Sequence, residues 1–131
     1  MVLKGVTTLV IVGAACLPLI TGCGIEQRES DARDAANRFV SALEEPVDAC
    51  AWLSPKTKEA LESQGEPCAE VLGSLDVPRG RVTSAAVWSD RAQVHTSDDT
   101  LFLVELDAGW RITAAGCRHE TEENYLCVLA D

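Results

Sequence analysis

The sequence predicts an α+β domain, with helices from its first half packed on one face of an antiparallel β-sheet from its second half. Apolar residues recur at helical spacing between Ser30 and Leu75, whereas short runs rich in β-branched and aromatic residues follow Pro78. Four cysteines in these two regions predict two disulfides. With 131 residues, 47% of them apolar, the chain is long enough for one such domain and a short appendage.

The first predicted helix begins at Ser30, where Ser30 or Asp31 provides an N-cap, and it ends before Pro46. Its apolar residues form one stripe, and polar side chains occupy the other positions, which is typical of a helix that packs by one side. The stripe consists of Ala32, Ala35, Ala36, Phe39, Val40 and Leu43.

Three shorter helices are predicted next. The first covers residues 47–53. Ser54 and Pro55 then supply an N-cap followed by proline at the first helical position, which opens a helix over residues 56–63, and Gly65 ends it. The last covers residues 68–75, where Gly73 weakens the helical pattern.

After Pro78 the pattern indicates an antiparallel meander, because short apolar runs alternate with Ser, Asp and Gly turns. The predicted strands cover residues 82–88, 91–96, 101–107, 110–116 and 125–130. Alternation predicts three sets of residues that each share one face, and one apolar face packs on the helices. The sets are Phe102, Val104 and Leu106; Trp110, Ile112 and Ala114; and Val82, Ser84, Ala86 and Trp88.

The first 20 residues have the pattern of an export signal. Lys4 is the one charged residue, and residues 6–20 form a stretch of 15 without any charge. Fifteen helical residues span about 22 Å, less than the roughly 30 Å hydrocarbon core of a bilayer, and Pro18 disfavours a continuous helix. A permanent transmembrane helix is therefore the weaker interpretation.

The segment Leu19-Ile20-Thr21-Gly22-Cys23 resembles the lipobox of bacterial lipoprotein precursors, in which an aliphatic residue and two small residues precede a cysteine. The resemblance implies a diacylglyceryl group on the Cys23 thiol, cleavage by signal peptidase II after Gly22, and acylation of the new amino group. Two or three acyl chains would hold the protein firmly at the extracytoplasmic face of the cell membrane. In the alternative interpretation, Cys23 is an ordinary apolar cysteine and cleavage occurs elsewhere.

These observations divide the chain into three parts. Residues 1–22 form the lipoprotein signal peptide, residues 23–29 a lipidated tether, and residues 30–131 the α+β domain. The segment over residues 23–29 is short and polar and lacks apolar periodicity, which is typical of a tether between lipid and domain. Its six residues after Cys23 extend at most about 20 Å, which predicts a domain close to the membrane surface.

Cys16 is lost with the signal and Cys23 is lipidated under this interpretation, which leaves Cys50, Cys68, Cys117 and Cys127. Four cysteines allow three pairings. We favour Cys50 with Cys68 and Cys117 with Cys127, because each pair brackets a local excursion of the chain, and each closed loop contributes about 3 kcal/mol. A zinc site at Cys117, His119 and Cys127 is a weaker alternative, because the spacing lacks the paired pattern of such sites.

The order of one long helix, short helices and a long meander resembles the cone-shaped fold of the nuclear transport factor two-like superfamily. Members of that superfamily often enclose a pocket between helices and sheet, and some use an aspartate with a histidine or tyrosine for acid–base chemistry. The resemblance is architectural, so no family residue is carried over to this chain. Candidate residues of these types are Asp48, Asp90, His95, His119 and Tyr125. Alternation places His95 on a polar face, and His119 is expected in a solvated loop.

Large aromatic side chains are the candidates for a ligand pocket, since such pockets are mostly apolar and aromatic. They are Trp52, Trp88, Phe102 and Trp110, which are also the obvious core residues of a domain with few large side chains. We find no nucleophile elbow, zinc-protease motif or phosphate-binding loop, and therefore predict neither a cofactor nor a metal.

Charge limits the classes of partner. Without Lys4, 10 of the 11 basic residues remain from Cys23 onward and face 21 acidic residues, a net charge of −11. This balance argues against nucleic acid and against a polybasic membrane contact. We expect a non-catalytic domain that binds a small ligand or an envelope protein, with two alternatives: a small enzyme that uses a pocket of the cone fold, or an accessory subunit of a larger complex.

Overall fold

The computed structural model describes Gly13 and residues 23–131, so the predicted signal peptide lies outside the described residues except for that one glycine. Helices come first and strands follow, as predicted. The helices are α1 (Cys23–Ala42), α2 (Pro46–Cys50), α3 (Pro55–Leu61) and α4 (Cys68–Ser74), with a 3₁₀ turn over Glu62–Gln64 after α3. The strands are β1 (Val82–Trp88), β2 (Arg91–Thr96), β3 (Thr100–Leu106), β4 (Gly109–His119) and β5 (Tyr125–Ala130).

The predicted α+β architecture is confirmed. The five strands form one open antiparallel sheet in the order β1-β2-β3-β4-β5, so every strand pairs with its neighbour in sequence. Helix α1 crosses this sheet and contacts β1, β2 and β4, while α2 packs against both α1 and α4. The helical layer therefore covers one face of the sheet.

Helix α1 starts seven residues earlier than predicted, at Cys23 instead of Ser30. The residues that we expected to form a tether, 23–29, are helical and continuous with the first predicted helix, and Ser30 and Asp31 lie inside that helix instead of capping it. Two contacts stabilise these early turns: Gln27 donates a hydrogen bond to Asp31 four residues later, and Arg28 binds Glu105 of β3. Polar composition indicated a solvated segment, but it did not exclude a helix.

The core lies between α1 and the sheet. The predicted stripe on α1 is buried, with Ala32, Ala36 and Phe39 at 0% exposure, and it packs against apolar side chains of the inner strands. Burial of one large apolar side chain contributes about 1.5–3 kcal/mol, so this layer supplies much of the stability. The sheet residues of the core are Ala92, Val94, Leu101, Leu103, Trp110, Ile112, Ala115 and Leu129.

Two of the predicted faces are interrupted by β-bulges. Ile112 pairs with Leu103, whereas Ala114 pairs with Phe102, so Ile112 and Ala114 lie on opposite faces of the sheet. The register also shifts between Val82 and Ser84, which separates Val82 from the rest of its predicted set. Strict alternation fails at these points because a bulge places two residues opposite one.

Both predicted disulfides are present. Cys50–Cys68 joins α2 to α4, with 18 residues of sequence separation, and Cys117–Cys127 joins paired residues of β4 and β5, with a separation of 10. Because Cys117 and Cys127 are bonded to each other, their thiolates are not available to the zinc site considered above.

Within residues 23–131, no group of three or more potential ligands is arranged for a metal ion. Over the same part of the chain, no helix combines the length and apolar character needed to cross a membrane.

Candidate functional site: a cleft with tryptophan and arginine walls

A cleft of about 470 Å³ opens between α1 and the turn that joins β3 to β4. We call it the Trp–Arg cleft, because two tryptophans and three arginines lie in its walls. The lining residues that matter for its chemistry are Arg28, Asp31, Asp34, Arg38, Trp52, Glu105, Asp107, Trp110 and Arg111.

Trp52 is held at the cleft by a short strand-like segment that follows α2. The amide of Ile112 donates to the carbonyl of Trp52 at 2.8 Å, and the amide of Ser54 donates to the carbonyl of Ile112 at 2.9 Å. Leu53, between them, forms a parallel bridge with Ile112 and is itself buried. These bonds extend the sheet beyond the part of β4 that pairs with β5, and they position Trp52 beside Arg111.

Local sequence explains why the chain turns away after Trp52. Ser54 caps α3 by accepting a hydrogen bond from the amide of Thr57 at 3.2 Å, and Pro55 occupies the first turn. The Thr57 hydroxyl is fully buried and donates to the carbonyl of Thr113 in β4. The cap and this second bond attach the start of α3 to the sheet and thereby fix one wall of the cleft.

Trp52 contacts two guanidinium groups. The central guanidinium carbon of Arg38 lies 5.7 Å from the centre of the Trp52 ring, and that of Arg111 lies 5.2 Å from it. Cation–π contacts of this kind contribute about 0.5–1 kcal/mol at exposed sites. Arg38 comes from α1 and Arg111 from β4, so the indole connects the two walls.

Arg28 closes the outer end of the cleft. Its Nε and Nη2 atoms donate to Oε2 of Glu105 at 3.0 and 2.9 Å, and Nη2 also donates to the carbonyl of Ser89. Its guanidinium carbon lies 5.6 Å from the centre of the Trp110 ring. Both charged side chains are about one-third exposed, so solvent screens the pair, and we expect at most about 1 kcal/mol from it.

The remaining two arginines are available for a ligand. Among residues 23–131, neither Arg38 nor Arg111 takes part in an ion pair, although Asp31 and Asp34 line the same cleft. Arg111 uses one N–H on the carbonyl of Trp110. A guanidinium that lies over an aromatic ring keeps its edge N–H groups for a carboxylate or phosphate. The cleft therefore suits a ligand with an acidic group and a planar or apolar part.

A second cluster lies on the face of the sheet opposite the helices. The Tyr125 hydroxyl lies 2.8 Å from Nε2 of His119 and accepts a hydrogen bond from Gln93, also at 2.8 Å. The Tyr125 ring packs edge-on against Phe102, with the ring centres 5.0 Å apart. His119 is exposed, as expected, but it does not lie in a loop, because it ends β4 and pairs directly with Tyr125 of β5.

The four predicted pocket residues do not share one pocket. Trp52 and Trp110 both line the Trp–Arg cleft, and Trp110 is also part of the core. Trp88 is 49% exposed at the end of the edge strand β1, and Phe102 belongs to the cluster around Tyr125. Strand register decides this separation, because neighbouring positions of a strand point to opposite faces.

Other polar candidates have local partners. His95 lies with Nδ1 at 3.1 Å from the Thr100 hydroxyl, and Asp90 forms an exposed ion pair with Arg91. Asp48 lies in the first turn of α2 and is exposed. These residues are dispersed over the molecule, so the structure does not gather the predicted acid–base candidates at one site, apart from His119 with Tyr125.

Sequence reasoning missed the arginines of the cleft. The signal on α1 was readable: Arg28, Asp31, Ala35 and Arg38 follow one another at spacings of three, four and three residues, so they lie along one side of the helix. The approach of Arg111 to Trp52 had no such signal, because it depends on the bridge between Leu53 and β4.

Comparison with known proteins identifies no relative of this chain. No protein-family model, curated protein or solved structure matches the chain. Its function is therefore inferred from its own residues.

Proposed function

We propose that the chain is the precursor of a bacterial lipoprotein, anchored by acyl groups on Cys23 at the extracytoplasmic face of the cell membrane. The observation that carries this proposal is the uncharged stretch over residues 6–20, which leads directly into Leu19-Ile20-Thr21-Gly22-Cys23. The helices and strands that the structure describes all lie from Cys23 onward, so cleavage before this residue would retain them in the mature chain.

The disulfides support export. Cys50–Cys68 and Cys117–Cys127 are bonds that persist in oxidising compartments and are rare in the cytosol. They pair four of the five cysteines from residue 23 onward with one another, which leaves Cys23 outside both bonds. We infer that Cys23 carries the lipid.

The anchored domain is proposed to be a binding module, and the Trp–Arg cleft is its binding site. Its walls combine two tryptophans and three arginines with four carboxylates, and the ion pair between Arg28 and Glu105 is partly exposed to solvent. Concave sites with aromatic walls and a few polar groups favour ligand binding. The ligand would be a small molecule or a segment of an envelope protein, with a negatively charged group that contacts Arg38 and Arg111.

A small enzyme is the second candidate, because His119, Tyr125 and Gln93 form a hydrogen-bonded chain on the other face of the sheet. A histidine bonded to a tyrosine hydroxyl is suited to proton transfer. A ligand that perturbs the His119 ring while leaving Trp52 unaffected would favour this second candidate.

The anchor is tested by the intact mass of the protein extracted from the membrane of its own cell. We expect the mass of residues 23–131 plus a diacylglyceryl group, with four cysteines alkylated only after reduction. Cys23→Ser should abolish the lipid mass and leave the uncleaved precursor, because the site for lipid attachment and cleavage is lost. Cys16→Ser is the matched control, since that cysteine leaves with the signal peptide. An unlipidated mass for the natural protein would overturn the proposal.

The cleft is tested by titrating isotope-labelled protein with benzoate and with inorganic phosphate while the indole N–H signal of Trp52 is followed. We expect the Arg38→Gln and Arg111→Gln variants each to weaken binding about tenfold, since each removes a charge-assisted contact. Arg33→Gln is the matched control, because Arg33 lies on the same helix and donates to the carbonyl of Thr83 outside the cleft. Equal titration curves for all variants would contradict the assignment.

A further inference from the structure

We propose that one end of the domain lies in the interface of the lipid bilayer, with Trp88 and Leu106 in contact with the boundary between headgroups and acyl chains. This end, which we call the anchor end, comprises the first turns of α1, the β1–β2 turn and the β3–β4 turn. The inference rests on the proposed lipidation of Cys23 and specifies how the anchored domain is oriented.

The position of the anchor end follows from Arg28. This side chain binds the carbonyl of Ser89 in the β1–β2 turn and the carboxylate of Glu105 at the end of β3. Arg28 lies five positions after Cys23, and both belong to the same helix. At 1.5 Å per residue, the two positions are about 8 Å apart along the helix axis.

A rigid helix of this length limits how far the domain can move from the membrane. An irregular tether of the same residues would allow the domain to swing away from the membrane, whereas α1 places the two turns next to the lipidated residue. Lipid on Cys23 therefore brings the β1–β2 and β3–β4 turns to within about one helical turn or two of the headgroups.

The anchor end carries exposed apolar side chains. Trp88 is 49% exposed and precedes Ser89, and Leu106 is 39% exposed and follows Glu105, so each is adjacent to a residue that Arg28 binds. Ile25, one helical turn before Arg28, is 56% exposed. Tryptophan is enriched at membrane–water interfaces because its ring is largely apolar and its indole N–H binds polar groups.

The other exposed large apolar residues lie elsewhere. Val47 belongs to α2, beyond the opposite end of α1, while Leu126 and Val128 belong to β5. Leu126 pairs with Arg118, next to the β4–β5 turn at the far end of the sheet. Leu126 thus provides a leucine of similar exposure, 47%, at a position that we expect to face solvent.

Charge at the anchor end does not attract an anionic surface. Arg28 and Arg91 are accompanied there by a larger number of carboxylates, namely Glu26, Glu29, Asp90, Glu105 and Asp107. Clustered basic residues are what draws a protein to anionic lipid, and this end lacks that excess. The contact should therefore be apolar and insensitive to salt.

The test uses the natural lipidated protein, reconstituted in phosphatidylcholine vesicles whose acyl chains carry bromine near the headgroup. Bromine quenches tryptophan fluorescence on contact. We expect clear quenching, unchanged by salt, that falls about twofold or more in Trp88→Phe, because Trp110 is only 5% exposed and Trp52 is partly buried.

Matched leucine variants sharpen the test. Leu106→Ala should reduce the quenching of Trp88, whereas Leu126→Ala should leave it unchanged. Equal quenching in the natural protein and Trp88→Phe, in samples whose mass includes the lipid, would overturn this inference alone. A natural protein without lipid would overturn the proposed function and this inference together.

Discussion

On the face of the sheet beneath the helices, Val94 and Leu101 are fully buried, whereas their strand neighbours Gln93 and Phe102 on the opposite face are partly exposed. The covered face consists of apolar side chains packed against α1. The open face instead has a hydrogen-bonded cluster around Tyr125. The difference indicates that folding stability comes mainly from the covered face. Substitutions on the open face should therefore lower the free energy of unfolding less.

The largest expected effect comes from Phe39→Ala on α1. Phe39 is 0% exposed in the core between α1 and the covered face, and truncation of a buried phenylalanine costs about 3–5 kcal/mol. Urea unfolding of the oxidised protein measures the loss. Phe102→Ala is the control on the open face and should cost about half as much, because its ring is already partly exposed. Equal losses would refute the distinction between the faces.

The two disulfides give the next largest effect. Replacing Cys50 and Cys68 with alanine should lower the free energy of unfolding by about 3 kcal/mol, since the bond closes a loop of 18 residues between α2 and α4. The same change at Cys117 and Cys127 should cost about 0.5 kcal/mol less, because that loop has 10 residues. Thermal unfolding of the two variants side by side decides the order, and a larger loss at Cys117 and Cys127 would reverse the comparison.

Removal of the buried Thr57 hydroxyl tests the hydrogen bonds that attach the start of α3 to the sheet. Thr57→Val keeps the shape of the side chain but removes its bonds to Ser54 and to the carbonyl of Thr113. We expect a loss of about 1–3 kcal/mol, because the carbonyl and hydroxyl left behind are buried. Thr83→Val removes a similar bond to the His95 carbonyl at an exposed position and should change stability by less than about 0.5 kcal/mol. Chemical denaturation of both variants provides the comparison.

The smallest effect is expected on the open face. Tyr125→Phe removes the hydroxyl that bonds to His119 and Gln93 but retains the ring that packs on Phe102. Because these groups are reached by solvent, we expect at most about 1 kcal/mol of destabilisation in urea. The His119 ring signals should shift strongly in an NMR spectrum of the same variant. A loss of stability as large as that of Phe39→Ala would show that the open face contributes as much to folding as the covered face.

Much of the fold was readable from sequence because its signals are local. The apolar stripe on α1, the Ser54–Pro55 start of α3 and the turn residues between strands each depend on a few neighbouring positions. All five strands were predicted within a few residues of their observed bounds. Local signals failed where a polar segment, residues 24–29, acquired helical structure through the tertiary contacts of Arg28.

The candidate site was less predictable. Tryptophans were recognised as pocket residues, yet only Trp52 and Trp110 come together, because strand register assigns Trp88 and Phe102 to other surfaces. A bulge cannot be placed from alternation alone, so the faces of Ala114 and Val82 were also mistaken.

By itself, the sequence determined the α+β class and the order of the elements, because helical periodicity and strand alternation are properties of short segments. Four cysteines allow three pairings, and the structure shows which one forms. The segment that carries the proposed anchor at Cys23 is likewise a feature of the sequence alone. Only the tertiary structure decided that Arg38 and Arg111 approach Trp52, that Tyr125 binds His119, and that Arg28 ties the start of α1 to two turns. These contacts join residues far apart in sequence, and their formation depends on how the helices pack and how the strands align.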